Sequence, residues 1–65
     1  MTKSEAITEA IKRLDATGCT QFVNRRGSDY ELGDNTGTTK RGWKPAEMIS
    51  RGNVHAYRRE FGNPA

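Results

Sequence analysis

Apolar side chains at Ile7, Ile11 and Leu14 recur at i, i+4 and i+7, the spacing that lines one face of an α-helix. Thr2 and Glu5 stand ahead of them at capping-box separation, and Gly18 follows where a left-handed cap ends a helix. These signals predict an amphipathic helix over residues 3–16. Its other face carries Glu5, Glu9, Lys12, Arg13 and Asp15, which read as solvated charges, with Glu9 and Arg13 a favourable i,i+4 pair.

The pattern then changes period. Residues 20–25 and 29–32 are rich in β-formers and flank Arg26, Gly27 and Ser28, so a β-hairpin is predicted over about 20–33. Its register has two solutions. A two-residue loop places Val23 on the face of Leu32, whereas a three-residue loop places Phe22 there with Tyr30 and Leu32.

Residues 33–42 contain no apolar side chain and read as a mobile polar loop. Pro45, Glu47 and Gly52 then occupy the N1, N3 and post-terminal positions of a short helix, 45–51, with Met48 and Ile49 turned inward. Residues 54–61 fit two periods. As a strand they put His55, Tyr57, Arg59 and Phe61 on one side and Arg58 on the other; as a helix they put Val54, Tyr57 and Phe61 at i, i+3 and i+7. The strand is preferred because an isolated hairpin needs a third partner. Residues 62–65 form a tail. The expectation is a single α+β domain in the order α-β-β-α-β, with α-β-β-α-α as the alternative.

Composition narrows the class. Leu, Ile, Val and Phe together supply nine of the 65 residues, a thin core that self-association as a homodimer, or a partner, could complete. Cys19 is the single cysteine, which excludes an intramolecular disulfide and favours a reducing cytoplasm. No apolar run approaches the roughly 18 residues of a membrane span, and residues 1–5 lack the apolar stretch of a secretion signal.

Charge is informative by position. Residues 40–59 hold six cations, Lys40, Arg41, Lys44, Arg51, Arg58 and Arg59, against Glu47, a local net of +5 in a chain whose total is +3. Such a stretch suits an anionic partner. Arg25 and Arg26 at the hairpin tip are candidates to join it, and Trp43 and Tyr57 are interleaved aromatics that could stack on a base. As the sole tryptophan of a core-poor chain, Trp43 is also a candidate for the core.

Catalytic chemistry finds no footing. Cys19 and His55 are the only thiol and imidazole, and nothing in their spacing brings them together. One of each falls short of the four ligands of a structural zinc site, so neither metal nor other cofactor is expected. Asp29, Glu31 and Asp34 read as solvated hairpin acids. The glycines of 33–42 do not match a phosphate-binding loop, because two threonines separate Gly37 from Lys40. The expectation is a non-enzymatic, basic binding protein that contacts nucleic acid or a nucleoprotein through Arg25, Arg26, Lys40, Arg41, Lys44, Arg51, Arg58 and Arg59. The alternative is a compact inhibitor or adaptor of the mobile-element type, such as an anti-defence or anti-CRISPR protein, that covers an acidic patch on a larger host complex.

Overall fold

The computed structural model describes residues 1–33 and 41–61. The chain is α+β, with α1 (Lys3–Thr17), β1 (Gln21–Arg26), β2 (Asp29–Gly33), β3 (Lys44–Ile49) and α2 (Val54–Phe61). The strands form one antiparallel sheet in the order β2-β1-β3, with β1 at the centre. Residues 34–40, including Lys40 and most of the predicted mobile loop, and the predicted tail 62–65 lie outside the described residues.

α1 is the helix its pattern predicts. Thr2 Oγ1 accepts from the Glu5 N–H at 3.1 Å while Glu5 Oε1 accepts from the Thr2 N–H at 2.9 Å, completing the capping box. Those bonds also hold the Glu5 carboxyl below its ordinary pKa. Gly18 closes the other end at φ 75°, its N–H donating to the Leu14 carbonyl at 2.7 Å. Between the caps, Ala6, Ile7, Ala10, Ile11 and Leu14 are buried.

The hairpin takes the two-residue solution. Arg26 pairs with Asp29 and Val23 with Leu32, leaving Gly27 and Ser28 as the turn. Gly27 has φ 60° and no other residue of the turn has a positive φ, as a type II′ turn requires of its first central residue. Val23 therefore faces α1 fully buried with Ile49, while Phe22 points to the other side of the sheet, outside the core cluster.

The last two elements exchange the roles predicted for them. Residues 45–51 are not a helix: Lys44–Ile49 is the third strand, paired with the outer edge of β1. Proline at the first turn of a helix and proline on an edge strand share one cue, a missing N–H that no neighbour needs. A helix of under two turns also carries an unfavourable nucleus, while the edge of β1 offers backbone groups to pair. The register shifts between Val23, opposite Glu47, and Asn24, opposite Pro45, so Ala46 is bulged. Strand alternation turns Glu47 and Ile49 toward the helices and leaves Met48, expected inward, 52% exposed.

Residues 54–61, preferred as a strand, are helical, since β3 already occupies the free edge. Of the alternative order, the helical C-terminus holds and the helix at 45–51 does not. Asn53 makes the change of direction: its side chain accepts from the Ser50 N–H and donates to the Met48 carbonyl, both at 2.8 Å. α2 then packs chiefly on α1, burying Val54 and laying Tyr57 and Phe61 against the core. No helix among the described residues is long and apolar enough to cross a membrane.

Candidate anion-binding surface

The helical period of α2 redistributes the basic residues. Positions 54, 57, 58 and 61 share the inward face, so Arg58 turns toward α1 and pairs with Asp15. The preferred strand, with Arg59 on the side of Tyr57 and Arg58 on the other, is thus reversed: on the helix Arg58 shares the inward face with Tyr57 and is tied down, and Arg59 is exposed. Arg51 lies in the turn before α2 with its guanidinium beside Gly18, at the carbonyl end of α1 where a cation is favourable. The basic stretch is therefore not one surface. Arg51 and Arg58 serve the C-terminal end of α1.

The other cations gather at the opposite end of the sheet. Arg25 and Arg26 close β1, Lys44 opens β3, and Arg41 precedes it in an exposed turn. Adjacent strand residues point to opposite faces, so Arg25 lies on the helix side and Arg26 on the other. The Arg26 guanidinium sits over the Trp43 ring, 4.9 Å from its centroid. Trp43 is half-buried by this contact and stands outside the core cluster, which corrects its reading as a core residue. Among the described residues, none of Arg25, Arg26, Arg41 and Lys44 forms an ion pair.

On the helix side, Lys3, Arg25, Tyr30, Lys44 and Glu47 line a cleft of about 310 Å³. Arg25 and Lys44 are direct cross-strand partners, as are Arg25 and Tyr30. The first turn of α1 bounds the cleft, held to β2 by a 3.0 Å bond from the Tyr30 N–H to the Met1 carbonyl. The chain matches no protein-family model, no curated protein and no solved structure.

One acid borders these cations. Glu47 accepts a hydrogen bond from the Tyr57 hydroxyl at 2.6 Å through one oxygen, while the other lies 3.5 Å from Lys3 Nζ. The carboxylate pushes the Tyr57 phenol up to about 12, through that bond first, with desolvation next. Tyr57 also stacks on Phe61, their centroids 6.3 Å apart, and Lys3 Nζ lies 5.7 Å from the Phe61 centroid. Tyr57 is thus a packing residue of the helix layer, already committed on both its polar and its apolar side, and is not presented to a base.

Sequence reasoning missed Lys3, Tyr30 and Glu47 as site residues. Lys3 lies far along the chain from the basic stretch, and only the placement of α1 over the sheet brings it to Lys44. Glu47 did carry a signal, as the only acid within that stretch. No group of three or more histidine, cysteine, aspartate or glutamate side chains among the described residues could hold a metal ion, and Cys19 is exposed.

Proposed function

We propose that this protein is a non-enzymatic binding protein that holds nucleic acid at the basic end of its sheet. The observation that carries the reading is that Arg25, Arg26, Arg41 and Lys44, none of them in an ion pair among the described residues, lie at one end of the sheet, with Arg26 over the Trp43 ring. Cations without carboxylate partners are free to displace the counterions of a phosphate backbone, and that release supplies affinity. The guanidinium over Trp43 adds a flat, positively charged platform on which an unpaired base can stack.

Salt tests it. With four phosphate contacts, affinity should fall about 150-fold between about 50 and about 200 mM salt, from a slope of about 0.9 per contact. Arg41→Ala with Lys44→Ala should flatten that slope by about two contacts while leaving the thermal melt unchanged. Absence of binding to duplex DNA, single-stranded DNA and RNA at about 50 mM salt defeats the reading.

A second reading, a compact inhibitor or adaptor seated on a larger protein complex, draws support from Met48, 52% exposed, and from Phe22, which lies outside the core. A packed protein interface of that kind would depend far less on salt.

A further inference from the structure

We propose that the cleft between Lys3, Arg25 and Lys44 is a pocket for a phosphate monoester, so that the protein grips nucleic acid by a phosphorylated end. This narrows the nucleic-acid reading and rests on it.

The first observation is an unrelieved repulsion. Arg25 and Lys44 stand directly opposite each other across β1 and β3, an arrangement that costs stability when both side chains are cationic. No carboxylate among the described residues is paired with either, because Glu47 is engaged by Lys3 and Tyr57. An anion seated between Arg25 and Lys44 turns that repulsion into two attractions.

Charge selects the kind of anion. Lys3, Arg25 and Lys44 bring three positive charges and Glu47 one negative, leaving the lining at +2. A phosphate monoester near neutral pH carries about −1.5 to −2 and meets that surplus, whereas an internal diester has a single negative charge to offer. Tyr30, the other cross-strand partner of Arg25, completes the lining on the β2 side.

Shape agrees with charge. At about 310 Å³ the cleft has room for a phosphoryl group and part of the attached nucleoside. It is walled by the first turn of α1, which the Tyr30 to Met1 bond fixes to the sheet. Lys44 follows Arg41 and Trp43 in the chain at the start of β3, so nucleotides beyond the bound end would round that end of the strand to reach them.

The test compares a fluorescent single-stranded oligonucleotide carrying a 5′-phosphate, a 3′-phosphate or only hydroxyl ends, measured by anisotropy on the whole protein. One phosphorylated end should bind about tenfold more tightly than the hydroxyl form near neutral pH, the scale of one extra charge close to a surface pair. That preference should fade near pH 5, where the monoester takes up its second proton, whose pKa is about 6. Inorganic phosphate should compete against the phosphorylated form more than against the hydroxyl form. Arg25→Ala with Lys44→Ala should equalise the two forms, and Arg41→Ala should weaken both alike; the thermal melt of each variant establishes that it is folded.

If no form binds, the nucleic-acid reading itself fails. Equal binding of phosphorylated and hydroxyl ends overturns the monoester assignment and leaves that reading standing. A preference that survives Arg25→Ala with Lys44→Ala places the monoester elsewhere and also overturns it. Binding of a nucleoside monophosphate as tightly as the phosphorylated oligonucleotide overturns the assignment to a nucleic-acid end, making the ligand a free nucleotide.

Discussion

Replacing Glu47 with glutamine removes one charge from the point where α1, β3 and α2 meet, while keeping an oxygen that can accept from Tyr57. In the native protein the carboxylate takes the Tyr57 hydroxyl at 2.6 Å and lies 3.5 Å from Lys3 Nζ. Ionising Tyr57 would set a phenolate against that carboxylate, so its pKa rises from 10.0 to about 12. A raised folded-state pKa favours the neutral phenol in the native state. The stabilisation is therefore present in full below about pH 10 and is lost as pH climbs through about 12. Two units correspond to about 2.7 kcal/mol, which solvent screening of this partly exposed pair reduces to about 1–2 kcal/mol.

Glu47→Gln should bring Tyr57 ionisation back toward 10 and remove most of this alkaline loss. At neutral pH the variant should be less stable by about 1 kcal/mol, as a charged hydrogen bond becomes a neutral one and the attraction to Lys3 disappears. Tyrosinate absorbance, followed on a Tyr30→Phe background so that Tyr57 alone reports, gives the ionisation directly. Urea unfolding over the same pH range gives the free energy. Ionisation that stays near 12 in Glu47→Gln would show that desolvation, not the carboxylate, sets the shift, and the reasoning would be refuted.

Two further outcomes test the packing. Ile7 is fully buried against a core of few members, so Ile7→Ala should cost about 2–5 kcal/mol, enough to unfold much of a marginal domain at room temperature; far-ultraviolet circular dichroism and a urea melt measure it, and a native-like melt would mean the core is misplaced. Gly18→Ala should cost about 1–2 kcal/mol, because Gly18 sits at φ 75° and an added Cβ would come within 2.5 Å of the Arg51 guanidinium; an unchanged urea midpoint would contradict the left-handed cap.

The elements that sequence made legible are those whose signals are local. Thr2, Glu5 and Gly18 mark the ends of α1 within the chain that forms it, and Gly27 marks the hairpin, whose register stayed open between two loop lengths until the pairing of Arg26 with Asp29 chose the shorter. The third strand and second helix were not legible because their identities depend on each other. Pro45 suits a helix start and an edge strand equally, and Tyr57 with Phe61 suits a period of two or of nearly four. What decides is the unpaired edge of β1, which accepts Lys44–Ile49 and leaves Val54–Phe61 to cover α1. The charge excess was legible as a stretch but not as a surface, since the helical turn of α2 sends Arg58 to Asp15 and the strand alternation of β1 parts Arg25 from Arg26. Lys3 enters the cleft only through the tertiary placement of α1.

A three-stranded sheet has two rims, and each rim of an open sheet invites another chain to add itself as a further strand. Both are blunted here by the chain's own backbone. On β2 the Tyr30 N–H is already taken by the Met1 carbonyl, which interrupts the row of donors an incoming strand would need. On β3 Pro45 has no N–H to give, and the bulge at Ala46 bends the strand and breaks its repeat. Residues that wall and border the cationic cleft thus also interrupt the backbone groups that a further strand would need at either rim.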